Sequence, residues 1–306
     1  MRTFLLIDKD GNTYNITSKD TAFFYGITGL GYEEDTTFQR IKERFTLLKK
    51  ELAQGEIVGT IRFWQDKAES KFFQFAQFCQ NSPHRLVYSP EAGIAEYADT
   101  TTKAFVYGTT LYLPQKKMQA ENFYRDGYIT KIEKSDGVGD CLTVQLTFKA
   151  ETPWYKEVSD YNYGGTGNRG KKYDYQYTYN YGGGVVNTVS VDSNSRQPCP
   201  ARIIIMGAVD NPEWHHYLNG ELVSTGKVNG SVLEGNRLVI DTTTIPYSIK
   251  QFDELGNLVS DMYQQSDFST ERFVRLGYGN NTISVSATGA DVIGIGVEAQ
   301  IEYATV

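Results

Sequence analysis

Asn211 to Tyr217 reads NPEWHHY, and no other stretch gathers so many side chains capable of chemistry. Sugars bind on flat aromatic faces flanked by hydrogen-bonding groups. Trp214 with His216 on one side of a strand, or Tyr217 on the other, is therefore a candidate glycan or partner contact. The same residues fit an Asn-Pro turn followed by a half-buried strand. Asp210 and Glu213 stand close enough in sequence to suggest a metal set with His215 and His216. Adjacent histidines on a strand point to opposite sides, however, and neither HxH nor HExxH spacing occurs, so no metal site is expected.

Other chemistries fail on particular residues. Gly165 to Lys172, GTGNRGKK, has the frame of a phosphate-cradling loop. Such a loop needs a Ser or Thr hydroxyl for magnesium where Lys172 stands, and an apolar strand where Asp160-Tyr161-Asn162-Tyr163 stands. A glycine loop between domains is the better reading. Gly26, Gly29 and Gly31 do not form GxGxxG and lack the strand-to-helix context. Asp8 opens a DKDG run, but its Gly comes too early and Lys19 stands where an EF-hand needs Glu. No GxSxG elbow surrounds any serine. No catalytic residue and no cofactor are expected.

Between Tyr173 and Tyr181 the chain reads YDYQYTYNY, five tyrosines at every second position. Period two is the side-chain period of a strand, so the five rings share a face. They either grip a glycan or partner, or pack inward as a strand of a second domain. The inward packing is preferred, and the segment then marks the entry to that domain.

The elements that must position these residues are mainly strands. FLLIDKDGNTYNIT reads as a hairpin turning at Asp10-Gly11 or Gly11-Asn12. Residues 36–54, containing IKERFTLLKKELAQ, fit a helix or a polar-alternating β segment. Ile57, Gly59, Ile61 and Phe63 alternate along one strand, and Leu142, Val144, Leu146 and Phe148 along another. The one helix expected is 67–80, where Phe72, Phe75, Ala76 and Cys79 follow helical spacing and Asn81-Ser82-Pro83 stops the run. Phe73 and Phe78 widen its apolar surface. Phe72, Phe73, Phe75 and Phe78 are therefore candidate subunit-interface residues, although burial within the domain explains them too. From about Thr188 onward, short strands recur with turns every eight to twelve residues, as in a β-sandwich.

Bulk properties agree with a globular β protein. The chain has 306 residues, enough for two domains, with 22 tyrosines, 16 phenylalanines and 29 glycines. A net charge of −7 argues against a general nucleic-acid binder. Cys79, Cys141 and Cys199 form neither a disulfide framework nor a metal clip, and are expected to be inert thiols. No apolar run is long enough to span a membrane, and the short run after Met1 does not make a signal peptide.

Several of these pieces, in order, are similar to the distal tail proteins of long-tailed phages of Gram-positive bacteria. They are the Phe-rich helix after Phe63-Trp64, LTFKAETPWYKE (Leu146 to Glu157), PCPARIIIMGAVDNPEW, GNRLVIDTT and LGYGNNTISVS, with a turn expected at 281–284. The resemblance covers essentially the whole chain. It implies a mostly β fold: an N-terminal β-sandwich-like domain with one α-helix (1–153) and a C-terminal galectin-like or jelly-roll β-sandwich (154–306), whose last strand packs back on the first domain in some members. It also implies a non-enzymatic virion protein of the tail tip or baseplate, assembled in the bacterial host cytoplasm. Its partners would be five further copies in a hexameric ring, the tail tube protein, a tail-associated lysin or fibre protein and receptor-binding proteins. The alternative is a carbohydrate-binding adhesin that recognises host cell-wall polysaccharide through its C-terminal domain.

Overall fold

The structure is a computed structural model that describes residues 2–18, 22–31, 33–64, 67–90, 122–135, 141–162, 187–288 and 293–306. The tyrosine segment 173–181 and the glycine loop 165–172 lie outside the described residues. The chain forms two compact units. The first comprises Met1–Thr102, Glu121–Lys156 and Glu302–Val306, and the second Lys103–Ala120 and Glu157–Ile301. The fold is mostly β, with a single α-helix among the described residues.

In the first unit, β1 (Thr3–Ile7) and β2 (Thr13–Asn15) form the expected hairpin, with Leu6 opposite Tyr14. Asp8 closes its turn. Its Oδ1 accepts the backbone N–H of Asp10 at 3.0 Å and of Asn12 at 2.8 Å, an Asx turn rather than a calcium loop. There follow β3 (Phe23–Thr28), β4 (Glu34–Ile41), β5 (Arg44–Leu52), β6 (Glu56–Trp64), α1 (Ala68–Cys79), β7 (His84–Ser89), β8 (Phe123–Ser135), β9 (Cys141–Ala150) and the first three residues of β10 (Trp154–Asn162). The antiparallel order is β3-β6-β9-β8-β7-β1-β2.

The two alternating runs marked in the sequence meet residue for residue. Ile57 faces Phe148, Gly59 faces Leu146, Ile61 faces Val144 and Phe63 faces Leu142. All eight are buried, because period two sends each run to the same side of the sheet. Helix α1 closes this core with Ala68, Phe75 and Cys79. Each large side chain removed from water there contributes about 1.5–3 kcal/mol. Residues 36–54, open between helix and strand in the sequence, are the β4–β5 hairpin, a two-stranded sheet of its own. Near the chain end, Tyr303 and Val306 pack on the first unit's core, and Tyr303 meets Phe123 edge-on at 5.3 Å.

The second unit contains β11 (Thr188–Ser193), β12 (Cys199–Met206), β13 (Val209–Leu218), β14 (Glu221–Lys227), β15 (Ser231–Val232), β16 (Arg237–Asp241), β17 (Ser248–Phe252), β18 (Leu258–Asp261), β19 (Arg275–Leu276), β20 (Gly279–Thr288) and most of β21 (Ile295–Tyr303). Strands β18-β17-β16-β12-β21 form one sheet, with β19 added to β12. Strands β11-β20-β13-β14 form the other, with β15 on β13. Ile203, Ile205, Ile240, Ile249, Val297, Ile283 and Val285 are buried on alternating positions, the pattern of a β-sandwich core. Arg202 ties three neighbouring strands of the first sheet together, bonding Asp241 on β16 at 2.9 Å and Glu298 on β21 at 3.2 Å.

The turn expected at 281–284 is corrected: these residues lie inside β20. The chain turns just before them. The Asn281 side chain reaches back to hold the backbone of Gly277 and Gly279, which is why the Asn reads as a turn residue from sequence.

Candidate functional site

Strand β13 places Trp214 and His216 on one face and His215 and Tyr217 on the other, as the period of two requires. The first face is the interior. Trp214 is 0% exposed, and its indole N–H donates to the Arg272 carbonyl at 3.0 Å. Its ring lies over Gly226 on β14, where any side chain would collide with it. His216 is 3% exposed and sits 3.0 Å from Asn281 Oδ1. Burial lowers the His216 pKa, and the hydrogen bond to Asn281 offsets this only in part. Neither residue has a free face for a sugar ring. On the outer face, Tyr217 stacks with His215 at 6.4 Å, and His215 Nε2 lies 3.2 Å from Glu213. A half-buried pair of rings remains there, without the tryptophan platform that the sequence suggested.

Helix α1 divides its phenylalanines unevenly. Phe75 is fully buried, 5.0 Å from Tyr14 and 5.8 Å from Phe63. Phe72 leans on Phe63, and Phe78 on Tyr14 and His84. Phe73, in contrast, is 63% exposed. Of the four candidate interface residues, Phe73 alone offers most of its ring to solvent.

The β4–β5 hairpin carries a larger apolar surface. Phe38 pairs with Leu47, and Arg40 with Phe45. Phe38, Phe45 and Leu47 therefore form one row across the two strands, and all are exposed, Phe45 at 70%. Leu48 is the extra residue of a bulge between Thr37 and Phe38 and is also exposed. The tip turns at Lys42, whose φ of 57° is left-handed. It carries Arg40, Lys42 and Arg44 beside Glu43, while Glu33, Glu34, Asp35 and Glu51 lie toward the base, where Lys50 pairs with Glu34 and Lys49 with Glu51, leaving the tip net positive and the base net negative. The sequence left this segment between helix and strand, so the row went unread. Its alternation of apolar and charged residues was the available signal.

Among the described residues, no group of three or more His, Cys, Asp or Glu side chains is placed to hold a metal ion. No helix among them is long and apolar enough to cross a membrane.

Residues 3–106 match the family model for the distal tail protein, N-terminal domain. The matched residues include the β1–β2 hairpin, the exposed β4–β5 hairpin and the Phe-rich helix, and over that part of the chain the match agrees with the resemblance seen in the sequence. The fold extends the likeness beyond that domain. A chain of the phage P2 baseplate in its activated conformation with calcium superposes with a TM-score of 0.63 at 13% identity, covering 100% of both chains. The strontium form of that baseplate gives 0.62 at 13% identity, with the same coverage. The SPP1 distal tail protein, described as a hub of the adsorption apparatus in phages infecting Gram-positive bacteria, gives 0.58 at 11% identity, covering 98% of this chain and 99% of its own. At such identities the structures establish a shared fold. A search of curated proteins found no match.

Proposed function

We propose that the chain is a structural hub of a phage tail tip or baseplate. Its first unit assembles with five further copies into a closed ring that joins the tail tube to a tail-associated fibre or lysin protein. The second unit, a galectin-like sandwich, carries the host-adhesion proteins. No step of catalysis is assigned to it, and its place is the virion.

The observation that carries this reading is the exposed row Phe38, Phe45 and Leu47 on the β4–β5 hairpin, inside the distal tail domain. An isolated two-stranded hairpin is marginal in water, and large exposed apolar patches mark association surfaces. A second copy of the chain is the occupant that the charges suit. A cationic tip and an acidic base attract one another head to tail, and head-to-tail contacts close into rings when the rotation permits. Phe73 adds a second exposed apolar residue in the same unit.

Native mass spectrometry and electron microscopy of the full chain test the reading. The expected result is a six-fold ring that dissociates when Phe45 and Leu47 are both replaced by Asp. A wild-type protein that stays monomeric at high concentration overturns it. The adhesin reading finds no comparable support, because Trp214 and His216 lie in the interior.

A further inference from the structure

The β17–β18 hairpin of the second unit holds aliphatic side chains in water. Leu255, Leu258 and Val259 are 50% to 69% exposed. Leu233, in the turn before β16, is exposed as well, and that turn abuts the hairpin. A side chain at Gly235 would collide with the Glu254 carboxylate. Scattered exposed leucines are ordinary, but neighbouring ones mark a surface of association. These side chains already face solvent, so a partner reaches them without any rearrangement.

Charge and backbone say what this surface takes. Residues 233–237 and 250–261 carry four acids, Glu234, Asp253, Glu254 and Asp261, against two bases, Arg237 and Lys250. Glu234, Glu254 and Asp261 are exposed, whereas both bases are half-buried. Asp253 is committed to the hairpin turn, accepting the Asn257 backbone N–H at 2.7 Å and its side-chain N–H at 2.9 Å. Strand β18 pairs with β17 alone among the described residues, so one of its edges is open. Met262 donates its N–H to the Ile249 carbonyl at 2.9 Å. By the alternation of an antiparallel ladder, Asp261 then turns its backbone outward. Open edges ordinarily carry charges that keep like edges apart. Acids do so here, and they leave the edge receptive to a segment of opposite sign.

We propose that the β18 edge, with the 233–235 turn beside it, docks an extended segment of a partner protein that alternates basic and aliphatic residues. The backbone of that segment extends the ladder past β18. Its aliphatic side chains cover Leu255, Leu258 and Val259, and its bases meet the exposed acids Glu254 and Asp261. The same edge of a second copy is repelled by these acids. The site rests on the reading that the second unit carries partner proteins, and supplies the surface for one of them.

The test is fluorescence anisotropy of short labelled peptides with the full chain. The probes alternate lysine with valine, glutamate with valine, or lysine with threonine. Saturable binding of the lysine–valine peptide, at least about tenfold tighter than of the other two, is the expected result. Glu254→Lys with Asp261→Lys should reverse the order in favour of the glutamate–valine peptide, a gain that misfolding does not produce. Leu258→Asp with Val259→Asp should abolish lysine–valine binding and leave the sedimentation of the chain unchanged. Absence of saturable binding to the wild type, equal binding of the lysine–threonine peptide, or no reversal of preference overturns the proposal. Altered sedimentation of the Leu258→Asp, Val259→Asp protein does so too, because it gives the surface to a second copy. A six-fold ring that binds no peptide removes this site and leaves the hub reading standing, while a monomer that binds it removes the hub reading alone.

Discussion

His216 Nε2 lies 3.0 Å from Asn281 Oδ1, and both side chains are sealed from solvent. The Asn281 amide orientation is fixed by its other partners. Nδ2 donates to the carbonyls of Gly277 at 2.9 Å and Gly279 at 3.0 Å, while Oδ1 accepts the Gly277 N–H at 2.9 Å. Oδ1 is therefore the acceptor toward His216 as well, and the Nε2 of His216 carries the proton. One asparagine thus links β13, β20 and the turn that precedes β20.

Asn281→Ala should destabilise the protein by about 2–4 kcal/mol, because it strands the Gly277 backbone and the His216 N–H in the interior. Urea unfolding measures this. A loss within experimental error of zero shows that water replaces the amide.

Burial lowers the pKa of His216, and burial likewise lowers that of His84 against the opposing effects of the Phe78 carbonyl and the Asp8 charge. Burial favours the neutral form of both in the fold, whereas a solvated histidine of the unfolded chain titrates near 6.5. The unfolded chain therefore binds protons first as pH falls. Their stabilising effect is full above about 6.5 and declines as pH drops through that value. Melting temperatures at about pH 8 and about pH 5 should show the decline, and H84Q/H216Q should flatten it. A slope unchanged in that double variant assigns the decline to other groups.

Trp214 and Tyr217 should separate sharply. Trp214→Ala opens a cavity under β14 and is expected to cost about 3–5 kcal/mol. Tyr217→Ala removes a half-buried ring and should cost about 1 kcal/mol. Equal losses in denaturant titrations contradict the buried assignment of Trp214.

Phe73→Glu and Phe45→Asp change exposed positions, so monomer stability should move by no more than about 0.5 kcal/mol. Their effect belongs to assembly, read as sedimentation at matched concentrations. Variants that sediment as the wild type place the subunit contact elsewhere.

Thiol labelling should favour Cys141. Cys79 is buried, and desolvation pushes its pKa up to about 12, while Cys199 is buried as well and Cys141 is partly accessible. Mass spectrometry after brief alkylation of native protein shows the order, and early labelling of Cys79 indicates opening around α1.

The sequence by itself determined the elements with strong periodicity. Ile57 to Phe63 and Leu142 to Phe148 alternate because each strand has one wet and one dry side, and the helix at 68–79 shows its period through Phe75 and Cys79. The order of such elements, with the TPWYKE run, was also enough to point to the distal tail family. Tertiary structure decided what period alone leaves open. Alternation at 213–217 gave two faces but not which was dry, and the fold buries Trp214 against the Arg272 backbone and His216 against Asn281. The residues at 34–52 pair with one another, and that pairing lines up Phe38 with Leu47 in solvent. Arg125 and Trp154 are far apart in sequence. The Arg125 guanidinium lies 5.4 Å from the Trp154 ring because folding brings together groups whose local patterns give no sign of it.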